Sequence, residues 1–503
     1  MPTSEKQHDN SEHQPEAKKK FSWLRFALPK FLREEKLELI GFSTILCVVF
    51  FIIHLCYPTA FITSDSGDYV SCAIFKSFGG FRPVGYSWFL IFIHFFSTRL
   101  GVTILAQFLL HSISALYFVF TIRRFFPPAK LWLFRLFALL IVLNDSTLYM
   151  TTWLLSDSVN ASLTFISFAA FLRLLENPKN KFVLVLLLVT LYFASEVRYA
   201  SLAYIPAFMI LLLVIHRFRK TRLHLLFLSL VLLGIWLHGR IDNQVQYGEK
   251  IFSAFGGWAK ANNASVLLAH VKVDTTNWTD PEVKTAYRLI RSFDNTHFTE
   301  EKIFLTDFMW SWDGPGKAYF VAQRKEKGPG GESYTQTWVH VGRVYNDYGD
   351  KMIAQHPIAY AHYFLWPNTK RLFVPHNDFT PFNKADVPPY CTQWFNLDYK
   401  KFFVKHDFFS CFGKISYYRY QLLLILFFPI LIFCYLMRKR FPWQSSEFNS
   451  LLAIGITVFF AFAMLIWSHP IMFRYVNWYN VFFLVPVYAL VNVWMRKRIG
   501  ILK

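Results

Sequence analysis

The chain has 503 residues, 54% hydrophobic, 19% aromatic and 17% charged, and its 53 Lys and Arg against 32 Asp and Glu give a net charge of +21. Globular proteins carry about 25% charged and about 45–50% apolar residues, so 57 Phe and a mean hydropathy of +0.29 exclude a soluble enzyme. A nucleic-acid binder would gather its cations on one face of a polar domain, whereas here they fall between apolar runs, and six Cys are too few for a disulfide scaffold.

Residues 1–37 read as a polar, lysine-bearing cytoplasmic tail, followed by a run at 38–57 long enough to span a membrane. That run is too long for a cleaved signal and lacks a small-residue cleavage site, so it reads as an uncleaved signal anchor. Residues 58–100 form an outer loop whose stretch YSWFLIFIHFF (86–96) is too short to span and suits an interfacial helix. Further runs at 101–121, 131–149, 153–173, 181–195, 199–216 and 222–238 complete an N-terminal membrane domain over 38–238. Residues 239–417 mix charge, Gly, Pro, Trp and Tyr, with GPGGES (328–333) as an exposed turn; they predict a folded extracytoplasmic domain of mixed secondary structure between spans seven and eight. Runs at 418–437, 447–467 and 474–495 supply the C-terminal membrane helices of 418–503. The fold class is therefore an α-helical polytopic membrane protein with about ten transmembrane helices.

Positive residues orient it. Arg123, Arg124 and Lys130, then Arg173, Lys179 and Lys181, then Arg217, Arg219, Lys220 and Arg222, and finally 438–440 and 496–498 all fall in alternate loops. By the positive-inside rule these loops are cytoplasmic, as are both termini, and the number of spans is even.

Ionisable groups at a membrane are costly and mark function when they recur on one face. Here they recur on the outer face: Asp65 and Asp68 in TSDSGDYV, Asp157 at the start of the fourth span, Glu196 and Arg198 between spans five and six, and His469, Arg474 and Tyr475 between spans nine and ten. Each has a structural alternative. Asp65, Asp68 and Asp157 could cap helices, Arg198 and Arg474 could snorkel, and His469-Pro470 reads as a turn. His356, His362, His376 and His406 lack metal-ligand spacing, and no HExxH, CxxC, Walker A or GxGxxG pattern occurs. Cys391 and Cys411 share the outer segment, where a disulfide and two free thiols both stay open. Sequons at Asn160, Asn263 and Asn277 do not decide between a bacterial envelope and an endoplasmic reticulum. Carboxylates and guanidiniums at an outer face suit a lipid-borne substrate, its phosphate paired with Arg and its chain among aromatic helices.

Four stretches resemble a known class. SDSGDYVSCAIFKSFGGFRPVGYSWFL (64–90) resembles the first outer loop of the GT-C membrane glycosyltransferases, with Arg82-Pro83-Val84-Gly85-Tyr86 matching its Arg-Pro-x-Gly-Tyr segment. LLSDS (154–158), SEVRYASLAYIPAFMILLL (195–213) and SHPIMFRYVNWYNVFFLVP (468–486) resemble its second acidic motif, a later span with a Leu-x-x-x-Pro pattern, and an Arg-Tyr start to a terminal span. The class includes protein O-mannosyltransferases and the aminoarabinose transferase of lipid A. The resemblance implies a polyprenyl-phosphate-linked sugar as donor, a lipid, glycan or protein as acceptor, membrane lipids as surroundings and no nucleic acid. It implies Asp65 as general base, with Asp68 and Asp157 as further catalytic carboxylates. Arg474 is implied in binding the donor phosphate, and Arg82, Tyr86, Arg198, His469 and Tyr475 belong to the same substrate site. The Asp-Glu pair that some members carry in the first motif is missing, so a divalent cation, Mg or Mn, at Asp65 and Asp68 stays open. A diphosphate-dependent polymerase or ligase and a lipid or oligosaccharide transporter are the alternatives, and the expected location is a bacterial inner membrane, with the endoplasmic reticulum as the other option.

Overall fold

A computed structural model of the chain describes residues 35–76, 80, 82–216, 218–327, 333–377, 387–397, 409–439 and 443–499, and these are predominantly helical, with no β-strand among them. The helices that frame the molecule are α1 (Lys36–Cys56), α2 (Ser64–Phe75), α3 (Gly85–Phe96), α4 (Leu100–Phe125), α5 (Leu131–Val142), α6 (Ser156–Glu176), α7 (Lys181–Val197), α8 (Tyr204–Ile215) and α9 (Phe218–Tyr247), followed by α10 (Ala254–Ser265), α11 (Pro281–Arg291), α12 (Pro315–Lys327), α13 (Tyr334–Gln355), α14 (Phe409–Leu436), α15 (Ser445–Ser468) and α16 (Asn480–Arg498).

Among the described residues eight helical segments are long and apolar enough to cross a membrane, which makes this an α-helical polytopic membrane protein. All ten expected runs are helical. Two fall short of the length that defines the eight: α7 has 17 residues, and Tyr199–Ile215 begins as a 3₁₀ turn before α8. The stretch expected at the interface is the 12-residue α3, which buries Gly85, Tyr86, Ser87 and Leu90 and exposes Phe92, Phe95 and Phe96.

The Phe content serves two environments. Phe165, Phe168, Phe171, Phe208 and Phe482 interlock inside the bundle, with Phe171 and Phe208 stacked at 4.0 Å. Phe51, Phe95, Val214 and Leu436 are each more than half exposed on helix surfaces, where hydrocarbon in place of water removes the cost of apolar exposure. At one end of the bundle ion pairs join neighbouring termini: Arg123 to Glu35 at 2.5 Å, Arg124 to Glu176 at 2.8 Å, and buried Arg496 to Glu447. The exposed Arg124–Glu176 pair contributes about 0–1 kcal/mol, whereas Arg496 and Glu447 are both buried, so losing either one would strand the other's charge.

The segment after the seventh expected span differs from expectation in two ways. Its boundary at 239 falls inside α9, which continues to Tyr247, and the domain is helical where mixed structure was expected. Asp280 starts α11 by accepting from the Glu282 amide at 2.8 Å, with Pro281 in the first turn. Helices α10 and α13 pack backbone to backbone, so a Cβ on Gly257 would lie 1.9 Å from the Gly342 carbonyl oxygen. Beside that crossing Trp258 and Trp338 stack at 4.0 Å, and the Lys317 ammonium sits over both rings at 4.9 and 4.4 Å. Burial lowers the Lys317 ammonium to about 8, while the ring faces favour its charged form.

Residues 1–34 of the tail and 328–332 of the GPGGES turn lie outside the described residues. Cys391 is buried, and the Cys411 side chain also lies outside them. Asn160 and Asn263 are buried and only the Asn277 sequon is exposed.

A charge network ties α13 to the start of α11. His340 bonds Glu249 at 2.7 Å and Glu282 at 3.0 Å, and Arg343 pairs with Glu249 at 2.9 Å and with Glu282. The Glu249 bond raises the His340 imidazole, burial opposes it, and the net shift is upward from 6.5. A raised imidazole stabilises the fold fully below pH 6.5, and this contribution is lost as pH rises through the folded-state value. Thermal melts of the native protein should therefore fall as pH rises above 6.5, and His340→Gln should flatten that slope. An unchanged slope in the variant contradicts the assignment.

Candidate functional site

Seven of the residues singled out in the sequence converge at the end of the bundle opposite the Arg123, Arg124 and Arg496 pairs. They line a cavity of about 290 Å³ whose walls include Asp65, Arg82, Asp157, Arg198, His469, Arg474 and Tyr475.

The carboxylates are not caps. Thr63 holds the cap position of α2, and the Ser66 hydroxyl accepts from its amide at 3.0 Å. Asp65 is thereby free to take a 2.6 Å hydrogen bond from Arg82 and a 3.4 Å contact from Arg474. Leu155 holds the cap position of α6, and Asp157 turns to Arg198. The Arg198 guanidinium in turn lies 4.5 Å from the centre of the Tyr475 ring, whose hydroxyl accepts from Arg474 at 2.9 Å. Arg198 and Arg474 are thus held by carboxylates inside the protein and do not snorkel.

Two packing devices hold this geometry. A Cβ on Gly85 would lie 2.6 Å from the Glu196 carbonyl carbon, so only glycine lets the start of α3 approach the segment that carries Arg198. Gln107 on α4 donates to the carbonyls of Thr151 and Trp153, both at 2.9 Å, fixing the loop that delivers Asp157. Tyr86 was expected to bind substrate, but it is fully buried and donates to Gln107 at 2.7 Å. It does not line the cavity; the Arg-Pro-x-Gly-Tyr segment supplies Arg82 to the cavity and uses Tyr86 as a support.

The helical domain builds the rest. Asn368 donates to the carbonyls of Ile466 at 2.8 Å and His469 at 3.0 Å, and accepts from the Ile471 amide at 3.0 Å, clamping the turn that presents His469. The Phe473 amide reaches the His376 carbonyl at 2.8 Å, which sets the start of the Arg474 segment. The start of α10 contributes Phe252, Ser253, Phe255 and Gly256 to the cavity wall. These residues, with Tyr69 and Ser156, were not expected from sequence; the FSAFGGW stretch (252–258) was the one local signal.

The electrostatics separate the carboxylates. Burial would raise the Asp65 carboxyl, but Arg82, Arg474 and Arg198 outweigh it and hold it below its ordinary 3.8. Burial lifts Asp68, Arg82 pulls it back and Asp65 pushes it up again, to about 6; its side chain is 35% exposed and lies 3.7 Å from Arg82 at the cavity's edge. Burial, with Arg198 and Arg474 nearby, lowers the His469 imidazole to about 3, so it is neutral, with its buried Nδ1 unpaired among the described residues. Asp65 and Asp68 do not suit a divalent cation between them, because the Arg82 guanidinium already occupies that place. Among the described residues no group of three or more His, Cys, Asp or Glu gathers as a metal-binding set.

No family model, curated protein or solved structure matches the chain.

Removing one partner of a buried ion pair leaves a stranded charge and costs about 3–5 kcal/mol. Asp157→Ala should therefore lower stability by about that amount, and adding Arg198→Leu should recover part of the loss. Chemical denaturation of the three proteins checks this, and strictly additive losses contradict the pairing.

Proposed function

We propose that the protein is a membrane glycosyltransferase that moves a sugar from a polyprenyl monophosphate carrier to an acceptor at the extracytoplasmic face. The observation that carries this reading is the cavity in which Arg82, Arg198 and Arg474 surround an ionised Asp65, with apolar Leu155, Val197, Phe252, Met464 and Leu465 alongside. Guanidiniums at a cavity with apolar walls fit a phosphate attached to a hydrocarbon chain. The charged groups gather at one end of the helices, whereas a transporter would carry its site near mid-span.

The acceptor hydroxyl or amine attacks the anomeric carbon, forming the new glycosidic bond as the bond from that carbon to the phosphate oxygen breaks. The electron pair leaves on the phosphate, Arg474 and Arg198 stabilise its charge, and the acceptor proton passes to the Asp65 carboxylate. The anomeric configuration inverts, and polyprenyl monophosphate is the second product. Donor phosphate competes with Asp65 for Arg474. As that guanidinium turns to the donor, one of the charges holding the Asp65 carboxyl low is withdrawn, and Asp65 becomes a stronger base when substrate is present. Neutral His469, with its open Nδ1, is placed to hydrogen-bond a sugar hydroxyl. Asp157 orients Arg198.

Asp65→Asn should abolish transfer in a folded protein, and Arg474→Ala should reduce it by about 10²–10³; near-native turnover by Asp65→Asn would remove its role. A base must be deprotonated, so activity is lost as pH falls below its pKa. With Asp65 as base, kcat/KM should stay level through pH 6, the value to which Asp68 is raised. An acid limb centred near 6 would transfer the role of base to Asp68.

A further inference from the structure

A second cavity of about 340 Å³ adjoins the first and shares Phe252, Ser253, Gly256 and Ser468 with it. Three cations from three segments converge there: Arg240 of α9, Lys250 of the connection that follows, and Lys260 of α10. Lys260 bonds Asp350 at 2.6 Å and Asn346 at 2.7 Å. Arg240 lies 4.8 Å from the Trp236 ring centre, and neither Arg240 nor Lys250 has a carboxylate partner among the described residues. Three cations against Asp350 leave the cavity with 3 − 1 = +2. Trp236 and Trp467 line its rim, 43% and 50% exposed, on two of the membrane-crossing helices.

Tryptophans beside arginine and lysine mark the level of lipid headgroups. Snorkelling explains a single cation at that level, but not three that line one concave wall. Phosphate carries about −1.5 to −2 charge at neutral pH, which matches the unbalanced charge. The shared wall connects this cavity to Asp65.

We propose that the second cavity binds a phosphate group on the acceptor, so that the enzyme selects an anionic, phosphate-bearing acceptor and presents its nucleophile across the Phe252 and Ser253 wall to Asp65. This rests on the transferase reading for the word acceptor, while the anion site stands on Arg240, Lys250 and Lys260. Donor phosphate goes to Arg474 and acceptor phosphate to Arg240 and Lys250, so the two anions occupy separate places.

The test is equilibrium binding of radiolabelled phosphatidic acid to the purified full-length protein in neutral detergent, with phosphatidylcholine for comparison. The native protein should prefer phosphatidic acid by about tenfold, the equivalent of one charge-assisted hydrogen bond. Arg240→Gln with Lys250→Gln should abolish the preference, and Arg474→Ala should keep it. Lys250→Gln alone, at an exposed site, should weaken it by about threefold and serves if the double variant does not fold. Displacement by excess sn-glycerol 3-phosphate assigns a water-soluble acceptor, and resistance to displacement assigns a lipid. A folded double variant that binds like the native protein, or a preference that disappears only with Arg474→Ala, overturns the proposal. Binding of polyprenyl monophosphate to the native and Arg474→Ala proteins reads the donor site separately, so failure of one reading does not imply failure of the other.

Discussion

The structure depends on a partly buried cluster in which Arg82, Arg198 and Arg474 face Asp65, Asp68 and Asp157. Such charges are far more costly in a low-dielectric setting than in water unless they are paired, so each pair imposes a long-range constraint. Asp65 joins the segment after α1 to the last long apolar helical segment, 409 positions away, and Asp157 joins α6 to the end of α7. Those pairings determine where the helix ends meet, and the cavity is the space left between them. A compact core of Phe side chains would pack without this arrangement, but it would not place three guanidiniums at one end.

The membrane architecture was legible because hydrophobic runs of about 20 residues leave few alternatives. The span count was less so. Run 181–195 and run 199–216 are helices of marginal length separated by the Arg198 bend, a feature set by the Asp157 pairing and not by hydropathy. In the helical domain, the Asp280-Pro281 start signal and the period of Val283, Ala286 and Ile290 were present in the sequence. They were masked by the Gly, Pro and aromatic content of the surrounding segment, which suggested mixed structure.

Within the site, charged residues were legible and supports were not. Asp65, Asp157, Arg198 and Arg474 stand out because each is an ionisable group set beside a long apolar run. Tyr86 looked like a substrate residue because it closes a motif, yet its hydroxyl is occupied by Gln107, a contact across two helices that no local pattern reveals. Asn368 and the Phe252 wall belong to the same class: their importance comes from tertiary approach to the His469 turn and to the cavity. The domain after α9 is therefore part of the site's construction, which explains why a polytopic bundle of this kind carries so large an insertion between its membrane segments.

The proposed function requires the arginine-lined cavity to hold a polyprenyl monophosphate sugar. The most direct measurement is release of polyprenyl monophosphate from a panel of synthetic polyprenyl monophosphate sugars, with the matching diphosphates beside them, using purified protein in lipid and a mixed pool of envelope acceptors. At least one monophosphate donor should turn over, and none of the diphosphates. Turnover of diphosphates alone, or of no donor in a protein shown to be folded, would contradict it.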